Sequence, residues 1–269
     1  FSVVVVAAQW GGESDPEALS RGSLCAAGRL PRRCGLHNVG KTLPVFRTLA
    51  DKKEDGAMSA MIIKSREAND LKLTAYHGHF VTRHSHNSHY LDITRMKHEC
   101  AMADIAAASL ANHYVYEKEI DTVVCLDGSE VIGTFLARQL SQKNLFSLSS
   151  EKNICVVAPE HDSNGLLIFR DNLRPMVSEK NVLLLISTVN SGKTAARALE
   201  CIEYYGGTTQ GVAAVFSALK QVGDIPVISL FSPEDIPGYM TSLVKDCPMC
   251  KAGQKIDALS NSYGFSPLT

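Results

Sequence analysis

The sequence predicts an α/β fold built on a doubly wound, mainly parallel sheet. From residue 121 to 231, short apolar segments alternate with segments of helical periodicity. The segment NVLLLIS (181–187) is continuously apolar, as a central parallel strand covered on both faces must be. It leads through a small polar turn directly into a helix, in the run VLLLISTVNSGKTAARALE.

Taken in chain order, residues 1–57 read as turns and loops (GGESDPE, RLPRRCG, DKKEDGA) and contain the single tryptophan, Trp10. They show no sustained period and read as a poorly ordered extension, or as upstream sequence joined to a protein starting at Met58 or Met61. The functional alternative is a basic arm around Arg29, Arg32 and Arg33. Residues 71–95 hold strand-like stretches and many histidines, and the alanine-rich segment 97–114 suits a helix. DTVVCL (121–126) reads as a buried strand. Residues 129–142 form a helix with Ile132, Phe135, Leu136 and Leu140 on one face and Ser129 as N-cap. NICVVAP (153–159) is the next strand and LLIFR (166–170) a short extended piece. After the strand at 181–187, the helix 193–207 ends at Gly206 and Gly207. GVAAVFS (211–217) and PVISLF (226–231) complete the series. The tail 232–269 is punctuated by proline and glycine, with a short helix around 236–245, and reads as a cap over the sheet's edge.

Composition narrows the function. Of 269 residues 45% are hydrophobic and 20% charged, with a net charge of −1, so there is no basic excess to favour nucleic acid or a membrane surface. No apolar run reaches the roughly 20 residues of a membrane span. The opening FSVVVVAAQW makes a poor signal peptide, lacking a basic segment before its apolar stretch. Eight cysteines in a chain of this length imply no disulfide scaffold, and Cys125 and Cys155 fall inside apolar strands, which points to a reducing cytoplasm.

The turn at Ser187–Thr194 carries the most chemistry. Small residues let backbone N–H groups converge on an anion, and the helix N-terminus adds unpaired donors and a partial positive charge. Thr188, Ser191 and Thr194 add hydroxyls and Lys193 a full charge. A Walker A loop is one alternative, but Ser187 stands where its first glycine belongs. An ordinary strand-to-helix turn is the other.

Two histidine and cysteine patterns stand apart. In an extended strand His77 with His79, and His84 with His86, share a face, a spacing that holds a transition metal when a third ligand arrives from elsewhere. An unliganded polar surface gives the same pattern. Cys247-Pro-Met-Cys250 is half of a zinc site, which His or Cys ligands from residues 70–95 would complete; otherwise it is a turn with two thiols.

From residue 70 to 231 the chain resembles type I phosphoribosyltransferases, the orotate-specific members in particular. Asn190, Ser191, Gly192, Lys193 and Thr194 correspond to that family's 5′-phosphate turn. Asp127, Gly128, Ser129 and Glu130, after the strand TVVCL, resemble its pyrophosphate loop. The run CPMCKAGQKIDALSNSYGFS is similar to tails of bacterial orotate phosphoribosyltransferase-like proteins. Ser187 and Thr188 stand where the family carries an acidic pair on the ribose. The family's basic loop is altered as well, leaving Arg170 and Arg174 as cations.

The resemblance implies one domain over 58–269, with a hood (70–95), a core (97–231) and a C-terminal cap (232–269). It implies a homodimer that binds phosphoribosyl pyrophosphate and a nucleobase or nucleotide, with Arg170 as the catalytic cation stabilising departing pyrophosphate. It also implies Mg²⁺, for which Asp127 and Glu130 are candidate ligands; Asp127 closing a turn and Glu130 facing a helix dipole is the alternative. A transferase and a non-catalytic phosphoribosyl- or nucleotide-binding regulator both remain open.

Overall fold

Strands apolar on both faces need helices on both sides, and the arrangement of the chain follows from that requirement. A computed structural model describes residues 58–66, 70–115, 119–143 and 153–268. The expectations for residues 1–57, including the arginine arm, lie outside the described residues. The first elements are β1 (Ala60–Lys64), β2 (Lys72–Val81), β3 (His86–Asp92), α1 (Thr94–His98), α2 (Cys100–Ala111), β4 (Thr122–Cys125) and α3 (Glu130–Lys143). The middle of the chain supplies β5 (Cys155–Val157), β6 (Glu160–His161), β7 (Leu167–Ile168), β8 (Asn181–Val189), α4 (Lys193–Tyr204) and β9 (Thr208–Ser217). The last elements are β10 (Gln221–Val222), β11 (Ile225–Phe231), β12 (Thr241–Ser242), α5 (Pro248–Lys251), β13 (Ala258–Asn261) and β14 (Gly264–Pro267).

The core sheet has the order β10-β11-β9-β8-β4-β5, parallel throughout except for the β10–β11 hairpin. Val182 to Ile186 of β8 are all buried, and alternate residues serve opposite faces. Leu183 and Leu185 join Ala103, Ala107, Ile132 and Leu136 of α2 and α3. Val182, Leu184 and Ile186 pack with Ala195, Ala198 and Ile202 of α4. Helix α3 can lie close on the sheet because Gly133 has no side chain; a Cβ there would sit 2.3 Å from Cys125 Sγ. The α/β, doubly wound expectation is borne out. From β4 the chain winds outward to β5, and from β8 it winds the other way to β9. The switch point therefore lies between the carboxyl ends of β4 and β8, where open α/β sheets bind ligands.

A second sheet has the order β12-β3-β2-β13-β14, with β1 also paired to β2. Here the tail departs from expectation. It does not cover the edge of the parallel sheet: β12 pairs with β3, and β13 runs parallel to β2, with Ala258 opposite Phe80 and Leu259 opposite Val81. The short helix expected at 236–245 is replaced by 3₁₀ turns at Pro233–Asp235 and Val244–Asp246 with β12 between them. Phe265 of β14 packs against Tyr76, Phe80 and Tyr90, an aromatic cluster that fixes the tail to the hood sheet. Among the described residues no helix is long and apolar enough to cross a membrane.

Candidate functional site

The phosphate turn is shorter than a Walker A loop requires. Strand β8 continues through Thr188 and Val189, which pair with Phe216 and Ser217, so only Asn190–Gly192 separates it from α4. Ser187 is a strand residue, and the P-loop alternative is corrected on that ground. Gly192 opens α4 with φ 74° and ψ −8°, a left-handed conformation that glycine tolerates. A Cβ there would also come within 2.9 Å of Leu219 Cδ1. The Tyr239 hydroxyl donates to Asn190 Oδ1 at 2.8 Å and holds the turn from the other side. Since Ala196 N–H is the donor that bonds Gly192 O, the N–H groups of the first turn stay available to an anion.

This turn forms one wall of a cleft of about 270 Å³, near the lower end of small-ligand sites at roughly 300–1,000 Å³. Asn190, Ser191, Gly192 and Thr194 line it, whereas Lys193 is exposed and lies outside the lining. Beside the turn, Arg83 and His84 from the β2–β3 turn and Arg197 from α4 do line the cleft. Burial lowers the pKa of His84, and Arg197, Lys193 and Arg83 push it further down. Positive charge therefore converges on the phosphate turn. Arg83 and Arg197 are not among the residues the sequence singles out. Their signal is faint: Arg197 follows Thr194 by three positions on α4, and so shares its face.

The expected pyrophosphate loop contributes one side chain to the cleft. Asp127 lines it from a left-handed backbone conformation, φ 59°. Burial raises its carboxyl pKa, against the opposing effects of the Ser262 hydroxyl, Lys97 and His161. Lys97 is only 2% exposed; its ammonium donates to Ser262 O at 2.7 Å and stands 5.1 Å from the Tyr263 ring centroid. Burial lowers the Lys97 pKa, while Asp127 and Glu130 oppose the shift. Gly128, Ser129 and Glu130 lie outside the lining. Ser129 stands at the N-cap position of α3, its carbonyl accepting from Gly133 N–H at 2.8 Å, while its buried hydroxyl donates to Leu185 O at 3.3 Å across the sheet.

The two ribose candidates separate. Thr188 lines the cleft, but Ser187 is fully buried and its hydroxyl donates to Asp127 O at 3.1 Å. Residues 187 and 188 are neighbours on a strand, so their side chains point to opposite faces. Among the described lining residues Asp127 is the only carboxylate. The expected Asp127–Glu130 pair therefore does not fit a magnesium site held by protein carboxylates.

Arg170 is not brought into the cleft. Its Nε donates to Glu160 Oε2 at 2.9 Å, joining the ends of the β6–β7 hairpin, and the two side chains are 62% and 56% exposed. Such a pair contributes about 0–1 kcal/mol. The hairpin supplies His161 and Gly165 to the lining in its place.

On the hood side, Asn87 and His89 of β3 are 4% and 3% exposed and line the cleft. Asn87 Oδ1 and His89 Nε2 have no hydrogen-bond partner among the described residues. Burial and then His77 lower the His89 pKa, favouring its neutral form, and its ring stacks on Tyr239 at 6.1 Å and 24°. Unpaired buried polar atoms are unfavourable unless water or a ligand binds them, so both atoms are open to a partner at this wall of the cleft.

The histidines pair across strands rather than along them. The regular β2–β3 register sets His77 opposite His89, and beyond the β-bulge between His77 and Phe80 His79 lies beside His86, each pair with ring centroids 5.0 Å apart. His79 and His86 also meet Cys247 and Cys250, and the four ligand atoms lie within 4.8 Å of one another.

No family model matches the chain. The orotate phosphoribosyltransferase of Chlorobaculum parvum is 24% identical over 192 residues, covering 70% of this chain and 91% of that protein. Among solved structures, the Mycobacterium tuberculosis orotate phosphoribosyltransferase in complex with phosphoribosyl pyrophosphate aligns at TM-score 0.41 and 16% identity, over 54% of this chain and 82% of that one. The adenine phosphoribosyltransferase of Thermoanaerobacter pseudethanolicus aligns at 0.42 and 14%, over 64% and 95%. The sequence relative bears out the resemblance to type I phosphoribosyltransferases.

Proposed function

We propose that the cleft binds phosphoribosyl pyrophosphate and transfers its ribose 5-phosphate to a nucleobase, with orotate the first candidate. The observation that carries this is the junction of the Asn190–Thr194 turn with Arg83, His84 and Arg197. A turn of free N–H groups beside Arg197 suits a 5′-phosphate, and the Arg83–His84 corner suits a second anionic group. The partnerless Asn87 Oδ1 and His89 Nε2 suit the polar edge of a base. In such a transfer the C1′–O bond to pyrophosphate breaks, pyrophosphate leaves with the electron pair, and a base nitrogen that loses its proton forms the new C1′–N bond. The residues contribute by holding both reactants and by meeting the charge on the leaving group. Any Mg²⁺ carried by pyrophosphate would take its ligands from phosphate oxygens and water, because Asp127 is the only carboxylate among the described lining residues.

One observation favours a second reading, a non-catalytic sensor of a phosphoribosyl compound or nucleotide. Ser187 faces away, and only the hydroxyl of Thr188 stands where carboxylates would support positive charge at the anomeric carbon. Incubation with labelled phosphoribosyl pyrophosphate, Mg²⁺ and a panel of orotate, adenine and other bases separates the two. Ribosylated product with released pyrophosphate is the expected result. Saturable binding without product selects the sensor, and failure to bind phosphoribosyl pyrophosphate rejects both. Cytoplasmic location and a homodimer belong to the same proposal; light scattering of the purified protein tests the latter.

A further inference from the structure

The Cys/His cluster lies apart from the cleft, at the join between the hood strands and the tail. Cys247 and Cys250 flank the first turn of α5, which closes through Lys251 N–H to Cys247 O at 3.1 Å and Gly253 N–H to Cys250 O at 3.0 Å. His79 comes from the bulged end of β2 and His86 from the start of β3. His79 Nε2 is 2.9 Å from His86 Nδ1, 3.6 Å from Cys247 Sγ and 3.7 Å from Cys250 Sγ; Cys250 Sγ is 3.3 Å from His86 Nδ1. A tetrahedral zinc with bonds of about 2.0 Å to nitrogen and 2.3 Å to sulfur sets its ligand atoms about 3.4–3.8 Å apart. The three nitrogen–sulfur distances lie within a few tenths of an ångström of that spacing, and the His79–His86 separation is about 0.5 Å shorter. The second shell also fits. His79 Nδ1 lies 3.2 Å from both Gln254 O and Lys255 O, so its proton belongs on Nδ1 and a lone pair on Nε2 faces the cluster. Three of the four residues are buried. Two thiolates and two neutral imidazoles in a closed set select zinc over harder cations.

We propose that His79, His86, Cys247 and Cys250 bind one structural zinc ion, which fastens the tail to the hood and so builds a wall of the cleft. The chain leaves the knuckle through Asp257, whose carboxylate accepts from His79 N–H at 2.7 Å, and enters β13 alongside Phe80 and Val81. At the end of β13, Asn261 and Ser262 line the cleft and Ser262 O accepts from Lys97. Zinc at the knuckle sets the start of this path, and the hood sheet carries it to the cleft. Binding releases the thiol protons and adds folding free energy to a segment with a small core of its own.

The test is the metal content of full-length protein purified from zinc-supplemented cells. About one zinc per chain is expected, with Cys250→Ser and His86→Ala each losing most of it. Cobalt added to metal-free protein should give thiolate-to-cobalt charge transfer and the intense visible bands of a four-coordinate site. Removing zinc should speed tryptic cleavage at the exposed Lys251 and Lys255 by about tenfold or more. Zinc-free protein, a Cys247–Cys250 disulfide, or metal retained in full by both variants would overturn the proposal. If a variant fails to fold, the cobalt spectrum of the wild-type chain decides, and a six-coordinate spectrum rejects the site. None of these readouts depends on what the cleft binds, so this proposal and the transferase reading fail separately.

Discussion

Asp127 shows how one side chain's surroundings become a measurable pH dependence. Burial lifts its folded pKa above the ordinary carboxylate value, although Ser262, Lys97 and His161 work against the shift. A raised folded value favours folding below the unfolded pKa of about 3.9, and that contribution is lost as pH rises through the folded pKa. Ionised Asp127 therefore works against the native state at neutral pH. Asp127→Asn removes the ionisation, so its melting temperature relative to wild type should rise as pH increases from the unfolded pKa of about 3.9 through the raised folded pKa, and then level off. Parallel or converging melting curves across that interval would contradict the assignment. The sequence points to Asp127 because a turn after a buried strand is readable from residue types. It does not reveal the partners, since Lys97 and Ser262 come from α1 and the β13–β14 turn. Ser187 and Thr188 illustrate the same divide. Both look like ribose contacts in sequence, and strand alternation sends one of them into the core.

At the scale of elements, the β8–α4 junction is where local sequence and local structure agree most closely. The apolar run, the small turn and the helix all appear as read, because each depends on neighbours within a few residues. Gly192 tests this directly. Alanine there must adopt φ near 74° and place its Cβ against Leu219, so Gly192→Ala should destabilise the protein by about 1–3 kcal/mol. It should also weaken binding of inorganic phosphate about tenfold by disturbing an N–H group of the turn. Chemical denaturation and calorimetric titration measure the two effects, and unchanged stability would mean the turn relaxes freely. Strands β2 and β3 are the counterexample. Their period-two histidine pattern is intact in the sequence, but the β2–β3 register pairs His77 with His89 across strands, and a bulge after His77 resets the register before His86. Nothing local in the sequence signals that shift.

For the whole molecule, the tail becomes part of the hood through contacts that span most of the described chain. His79 and Asp257 are 178 positions apart, a pairing beyond any reading of local period. The cysteine spacing and a supply of histidines at residues 70–95 are both visible in the sequence; which two histidines face the cysteines is not, because the β2–β3 and β2–β13 pairings decide it. Phe265 separates the two means of attachment. Its ring lies 4.8 Å from Tyr90 and 5.6 Å from both Tyr76 and Phe80, so Phe265→Ala should destabilise the protein by about 2–3 kcal/mol. The loss falls on β14 and the Asn261–Gly264 turn, which meets Lys97 and lines the cleft. Phosphoribosyl pyrophosphate binding should therefore weaken in this variant. Zinc content should stay at the wild-type level, because all four ligands precede β13 and the Phe265 ring packs on Tyr76, Phe80 and Tyr90. Loss of zinc together with ligand binding would show instead that the knuckle and the aromatic cluster form one cooperative unit, and that the tail docks as a whole or not at all.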